Sequence, residues 1–355
     1  MKKKKLLFIV EAMGGGVFTY IVDLANELAK QYELFIAHAV RKQTPVNYKD
    51  YFESSIHLIE VKNFTRSINP VKDYKAYKEI KEIANQIRPD LIHLHSSKAG
   101  ALGRFAFDGN DIPVYYTPHG YSFLMKDYKP IVRAIFKAVE LICAKRNCTT
   151  ISCSYGEHLE TLKLTTKACY VDNGINVKAL DNIIHSVNIF NHPFTVFTLG
   201  RICYQKNPSL FNAIAEAMPD VHFLWIGDGD MREVLKAKNI NITGWVNRYE
   251  ALQLAMNADV FILTSLWEGL PISLLEAMYM KKLCVVSDVI GNHDVIHSSE
   301  NGFVCNTVQE YTAAIRKHDS SKQIIEKAYK SIINRYNTDI MSEKYIEIYR
   351  TGNTT

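Results

Sequence analysis

No run of apolar residues in this 355-residue chain approaches the roughly 20 that a membrane-spanning helix needs. Lysines at positions 2–5 followed by Leu6, Leu7, Phe8, Ile9 and Val10 imitate a secretory leader. The run stops at Glu11, short of the roughly 7–15 apolar residues of a leader's core, so it reads as a buried first strand. Cysteine is sparse: the seven are scattered, odd in number and without a CxxC pair. Buried free thiols in a reducing cytoplasm are the expectation. There is no low-complexity tract and no repeat of roughly 20–50 residues. Helix-turn-helix, zinc-finger and RNP signatures are missing, so nucleic acid is not an expected partner. The GxGxxG fingerprint is missing too, because Gly14-Gly15-Gly16-Val17 has Thr at position 19, which disfavours an oxidoreductase.

The composition, 47% hydrophobic and 22% charged, is that of a globular protein and excludes a disordered or collagen-like chain. The length suits two domains of about 150–200 residues each. Charge is uneven. Residues 1–178 carry 26 Lys and Arg against 18 Asp and Glu; the remainder carries 16 against 19. A basic half beside an acidic half suggests that the first half faces something anionic.

Short apolar runs alternate with helical patterns. Strands are predicted at residues 6–10, 34–40, 91–95, 114–116 and 149–153, and helices at 17–30, 73–87 and 131–145. The second half repeats the pattern, with strands at 195–199, 222–226, 260–264 and 283–287. Its helices fall at 208–217, 231–237, 249–257 and 271–280. Strands of about five residues alternating with helices mean parallel sheets with crossover helices, here two doubly wound α/β domains. Asn173-Gly174 and His192-Pro193 bracket an irregular linker. The domains are accordingly 1–178 and 179–338, and the last residues, about 339–355, form a helix with Tyr345 and Tyr349 as docking aromatics.

Four clusters carry chemistry. The first is Glu268-Gly269-Leu270-Pro271 with Glu276 beyond it. Pro271 suits a helix's first position, and Gly269 and Leu270 set backbone N–H groups beside that helix N-terminus, a seat for phosphate. A nucleotide would meet its sugar at Glu268, its diphosphate at the N–H groups and its ribose diol at Glu276, since carboxylates accept readily from hydroxyls. The second is Gly200-Arg201 with Lys206, directly after a strand, where ligands of open parallel sheets bind; two cations there suit a diphosphate leaving group. The third is Gly14-Gly15-Gly16 between the first strand and helix. The fourth is Pro118-His119-Gly120, where His119 would reach a sugar hydroxyl. His93 and His95 alternate on a strand without a visible third ligand, and suit packing or an acceptor-side role better than metal. Asp228-Gly229-Asp230 copies a DxD metal motif but reads better as a Gly-rich turn with Asp230 capping the helix from Met231, so no essential metal is expected.

With these residues in place, the chain resembles the retaining glycosyltransferases of family 4, which have the GT-B fold of two Rossmann-like domains facing each other across a cleft. The resemblance covers nearly the whole length and is densest from Phe197 to Cys305. The family's E-x7-E motif matches Glu268 and Glu276, its diphosphate cations match Arg201 and Lys206, and its glycine loop matches Gly15 and Gly16. Its mid-domain histidine matches His119. Its nucleobase loops match Gly227, Asp228, Gly229 and Gly244-Trp245-Val246. The resemblance implies transfer of a sugar from a nucleoside diphosphate sugar, UDP-linked by family precedent, with retained configuration and no bound cofactor. Catalysis would fall to His119, Arg201, Lys206 and Glu268, through front-face attack in which a donor phosphate oxygen takes the acceptor's proton. The stretch His95-Ser96-Ser97-Lys98 through Arg104 resembles members that build capsule, exopolysaccharide or O-antigen units. It implies a polyprenyl-diphosphate-linked acceptor held by His95, Lys98 and Arg104 at the cytoplasmic membrane face. Lys126, Lys129, Arg133, Lys137, Lys145 and Arg146 around Ile131, Ile135, Phe136 and Ile142 fit either an anionic membrane surface or a core helix with a solvated basic face. A nucleotide-sugar epimerase and a non-catalytic glycan or nucleotide binder stay open as alternatives.

Overall fold

The computed structural model describes residues 3–11, 13–41 and 43–352. Lys2 and residues 353–355 of the expected terminal helix lie outside them. The chain divides into two units, Met1–Asn173 with Thr338–Thr355, and Gly174–Asn337.

Among the described residues, the first unit holds seven parallel strands: β1 Lys4–Val10, β2 Tyr32–His38, β3 His57–Glu60, β4 Leu91–His95, β5 Val114–Thr117, β6 Thr149–Ser152 and β7 Ala168–Tyr170. They run in the order β3-β2-β1-β4-β5-β6-β7. Both faces of the sheet are covered, which is why residues 6–10 of β1 read as an unbroken apolar run. The helices Gly15–Leu28 and Thr338–Thr351 share one core with Leu6, Phe8 and Val10. The helices Pro70–Ile87 and Ser97–Ala106 share the other with Leu7, Ile9 and Leu94. Met341, Tyr345, Ile348 and Tyr349 recur at helical spacing and are buried, so the last helix belongs to the first core. The Tyr20 hydroxyl donates to that of Tyr345 at 2.6 Å.

The second unit holds β8 Thr195–Leu199, β9 His222–Ile226, β10 Ile240–Ile242, β11 Val260–Leu263, β12 Leu283–Ser287 and β13 Phe303–Cys305, in the order β10-β9-β8-β11-β12-β13. In both units the first strand is central and the order reverses beside it, the arrangement that brings ligands to the carboxyl ends of the strands.

Register decides which loops are neighbours. Val10 pairs with His95, and His95 with Thr117, so the segments after β1, β4 and β5 leave the sheet abreast. In the second unit Leu199 pairs with Ile226, and Val196 and Phe197 with Val260 and Phe261. The segments after β8, β9 and β11 are therefore level as well. Two sequence expectations change here. The helix expected at 231–237 is only a 3₁₀ turn, Arg232–Val234, preceded by Met231 rather than capped by Asp230. The helix expected from 73 begins at Pro70, with the Asn69 side chain accepting from the Lys72 N–H.

Candidate active site

In the second unit, two loops are laced together beyond β8 and β11. The Thr264 hydroxyl donates to the Lys206 carbonyl at 2.7 Å, and the Leu266 N–H to the Gln205 carbonyl at 2.8 Å. Within this frame Glu268 is buried and accepts three contacts: Lys206 Nζ at 2.6 Å, the Ser265 hydroxyl at 2.6 Å and the Gln205 amide at 3.3 Å. A carboxylate so held is a fixed acceptor, and it aims the Lys206 ammonium. Arg201 is half-buried and has no ion pair with a described residue, leaving its fork for an anion.

The helix after Glu268 runs Ile272–Tyr279. Pro271 stands one position earlier than expected, at the N-cap, and no side chain caps the N-terminus. Glu276 is buried, and Arg248 reaches its Oε1 at 2.6 Å without hydrogen-bond alignment. Charge is met there while acceptor capacity remains. Gln205 and Ser265 lie in or beside the first two clusters but were given no role by the sequence, and Arg248 belongs to no motif, 28 residues before its partner. Replacing Glu276 by alanine should weaken UDP binding by about 10- to 100-fold, from losing charged hydrogen bonds worth about 1.5–3 kcal/mol. Titration calorimetry checks this, with Glu276→Gln as the milder control.

The glycines after β9 and β10 let these loops touch. Gly227 has φ +137°, and a Cβ there would lie 2.2 Å from the Gly200 carbonyl oxygen. Gly227 bridges Gly244, and a Cβ on Gly244 would lie 3.7 Å from Asp228 Oδ2; Trp245 is 66% exposed and Val246 half-buried. Asp228 is committed to Arg232 at 2.9 Å and to the Gly229 N–H at 2.8 Å. Gly269 is half-buried and Leu270 buried, beside the site of Glu268.

In the first unit Gly14 is the uncapped N-cap of the helix Gly15–Leu28, and Gly15 has φ +57° with open space over its Cα; Gly16 is exposed. His119 has φ +56°, a left-handed conformation uncommon outside glycine. The loop is pinned by Glu157, which the sequence did not reveal: its carboxylate accepts from the Gly120 N–H at 2.6 Å and the Cys153 N–H at 2.8 Å. Crowding by protein atoms pushes the His119 imidazolium down to about 3, so the ring is neutral. His95 lies wholly inside, with its Nδ1 3.1 Å from His119 Nε2.

The residues expected at the acceptor are not one surface. Lys98 donates to the Ser67 carbonyl at 2.5 Å and pairs with Asp73 at 2.8 Å. Arg104 is a correction. The residue is 3% exposed, and its guanidinium is paired with Glu140 at 2.6 Å, bonded to the Gly100 carbonyl at 2.9 Å and laid over the Tyr116 ring at 4.2 Å. Burial opposes its charge, but the Glu140 carboxylate outweighs burial and holds it protonated. It presents no face to a ligand; it cements the helix Ser97–Ala106 to the helix Pro130–Cys143.

Comparison with known proteins agrees with this geometry. Residues 14–179 match the family described as Glycosyltransferase Family 4, and residues 193–318 the one described as Glycosyl transferases group 1. The chain is 29% identical over 337 residues to the UDP-Gal:alpha-D-GlcNAc-diphosphoundecaprenol alpha-1,3-galactosyltransferase of Escherichia coli, covering 84% of this chain and 85% of that one. It is 23% identical to the N,N'-diacetylbacillosaminyl-diphospho-undecaprenol alpha-1,3-N-acetylgalactosaminyltransferase of Campylobacter jejuni, covering 81% and 84%. Among solved structures, sucrose-phosphate synthase from Thermosynechococcus elongatus superposes with a TM-score of 0.82 at 14% identity, covering 98% of each chain. HepE of Anabaena, solved with UDP and glucose, superposes with a TM-score of 0.77 at 17% identity, covering 98% of this chain and 100% of that one. These relatives fit a transferase rather than an epimerase or a non-catalytic binder. The fold is that of the GT-B enzymes, and the chain belongs to the family 4, group 1 glycosyltransferases.

Proposed function

We propose that the enzyme moves a hexose or N-acetylhexosamine from a UDP-sugar to a polyprenyl-diphosphate-linked saccharide, with retained configuration, during cell-surface polysaccharide assembly. The observation that carries this is the second-unit constellation: Lys206 clamped on Glu268, Arg201 without an ion pair among the described residues, and an acceptor-rich Glu276 along the uncapped helix that follows. The relatives' names, which specify UDP-Gal and undecaprenyl-diphosphate acceptors, support the donor and acceptor classes. Arg201 and Lys206 stabilise the departing diphosphate, and the N–H groups at Gly269 and Leu270 seat it. Glu268 takes sugar hydroxyls and Glu276 the ribose diol. Gly227, Asp228, Trp245 and Val246 flank the base, Gly15 and Gly16 admit the donor, and His119 bonds the sugar. The glycosidic C–O bond breaks toward the diphosphate, and the acceptor oxygen bonds on the same face. Its proton passes to a phosphate oxygen of the leaving group. The chain supplies the positive charge itself, so no cofactor or essential metal enters the reading. Purified enzyme incubated with a panel of nucleotide sugars and a synthetic lipid-linked acceptor, in chelator, should release UDP. Absence of release from every donor, with and without added magnesium, would sink the reading.

The acceptor's lipid requires a membrane, and the helix Pro130–Cys143 is built to meet one. It is turned inside out. Its buried residues include Glu140, while Ile131, Ile135 and Ile142 stand 67%, 53% and 54% exposed on neighbouring turns. Exposed Lys126, Lys129, Lys137, Lys145 and Arg146 flank that stripe. Such a face lies on the anionic, cytoplasmic leaflet, where each cation contributes about 1 kcal/mol. The enzyme should co-sediment with phosphatidylglycerol vesicles and not with phosphatidylcholine alone. Ile131→Asp with Ile135→Asp should cut binding at least about tenfold, since burying each isoleucine is worth about 1.5–3 kcal/mol. Equal binding by parent and double variant would remove the helix from the account.

A further inference from the structure

β4 and the loop after β5 bring three imidazoles together, with His93 and His95 wholly inside and His119 half-buried. His93 and His95 have ring centroids 4.0 Å apart, and His95 stacks on His119 at 5.4 Å with planes inclined by 23°. Phe8 packs its edge on His95 at 4.6 Å, and Tyr20 on His119 at 4.6 Å. His93 is fully employed, sharing hydrogen bonds with the Tyr349 hydroxyl at 2.5 Å and the Thr117 hydroxyl at 2.9 Å. Those partners are hydroxyls that either donate or accept, so His93 imposes no direction on the rest. His95 and His119 do.

The groups around His95 are aromatic or imidazole, and burial keeps the rings neutral. A neutral imidazole carries one N–H and one lone pair. The 3.1 Å contact between His95 Nδ1 and His119 Nε2 therefore holds one proton, on one side or the other. The far nitrogen of His95 settles which. His95 Nε2 is buried and has no hydrogen-bond partner among the described residues. Were the proton there, a buried N–H would be orphaned; left bare, only a lone pair goes unused. Orphaned buried N–H groups are the rarer and costlier defect. The proton thus sits on His95 Nδ1 and is donated to His119 Nε2. With its Nε2 accepting, His119 carries its own proton on Nδ1, and that nitrogen is not among the buried unpartnered atoms while the ring stays half-exposed.

We propose that His95 is a positioning residue that locks His119 in its Nδ1–H form, so that the β5 loop offers the sugar a neutral hydrogen-bond donor and no base. This rests on the transferase reading for the identity of the acceptor atom, a sugar oxygen. It deepens that reading in one respect. The sole lone pair of His119 is occupied by His95, so His119 does not take the acceptor's proton, and the phosphate route stands without a competing side chain in this loop. His95 itself touches no substrate, which replaces its expected acceptor contact.

The test is a long-range proton–nitrogen correlation spectrum of the full chain, labelled with ¹⁵N-histidine and without ligand at pH 7. The 12 histidines make the spectrum tractable, and His119 is the set of peaks lost in His119→Gln. The expected pattern is a protonated Nδ1 and a bare Nε2. A proton on Nε2, or on both nitrogens, overturns the proposal. His95→Asn keeps an amide donor where Nδ1 stood, whereas His95→Asp puts an acceptor there. The Asp variant should move the His119 proton to Nε2 and lower kcat/KM for the donor at least about tenfold below the Asn variant. Equal kinetics for the two would also overturn it. The parent spectrum stands should the Asp variant fold poorly. Failure of the transferase reading would show in UDP release; failure of this one shows in the spectrum of the unliganded chain.

Discussion

Replacing Lys206 by alanine should lower kcat about 10²- to 10³-fold while changing the Kd for UDP only severalfold. That corresponds to about 2.7–4 kcal/mol, the loss seen when one pre-aimed electrostatic group is taken from a developing anion. The asymmetry follows from where the charge grows. A ground-state diphosphate shares its charge with solvent, Arg201 and the helix N-terminus. The breaking glycosidic bond adds charge at the bridging oxygen, and an ammonium held 2.6 Å from Glu268 requires no reorganisation to meet it. Lys206→Ala also leaves Glu268 without its cation, so part of any loss could come from a displaced carboxylate. The double variant Lys206→Ala, Glu268→Gln separates the two causes. If the double variant is no worse than Lys206→Ala, the loss belongs to the shared clamp; additive losses assign independent roles to each side chain. Turnover is measured by UDP release and binding by calorimetry. A kcat within threefold of the parent would remove Lys206 from the chemistry, and weakened affinity at unchanged kcat would make it a binding group only.

What the sequence made legible follows from burial. Central strands such as β1 from Leu6 onward and β11 are covered on both faces and print as unbroken apolar runs, so the two α/β halves and their site loops could be read directly. Edge strands could not. β3 and β10 have half-exposed or exposed residues at every position, and a three- or four-residue run of that kind resembles a loop. The segment 231–237 had helical composition, but its tie to the preceding loop, where the Met231 N–H donates to the Ile202 carbonyl, leaves room for a single turn. Site residues were legible where a loop concentrates them, as with Glu268 and Gly269 or Arg201 and Lys206. They were illegible where the partner comes from a distant element. Glu157 reaches the His119 loop from a helix 37 residues beyond Gly120, and Glu140 reaches Arg104 across 36 residues. A charge in a motif-like string reads as a ligand contact until its counter-charge is found.

Arg104 carries the largest expected effect on stability. Arg104→Ala should destabilise the first unit by about 3–5 kcal/mol, the usual loss when one member of a buried ion pair is removed and the other stays charged inside. Glu140 would keep only the Tyr116 hydroxyl, 3.0 Å from its Oε1. An apolar replacement of both, Arg104→Met with Glu140→Leu, should recover most of the loss, because neither charge then has to be held away from water. The two units report separately. All three tryptophans, Trp225, Trp245 and Trp267, lie in the second unit, so their fluorescence follows it alone, whereas circular dichroism sees both sheets. Urea unfolding of Arg104→Ala should show an early dichroism transition with the tryptophan transition unmoved. The acceptor KM of the folded variant should stay within about threefold of the parent's at low temperature, where a destabilised unit is still populated. A variant as stable as the parent but with a much raised acceptor KM would reverse the assignment. The enclosed guanidinium would then have to open toward the acceptor, and the pair with Glu140 would be its resting state.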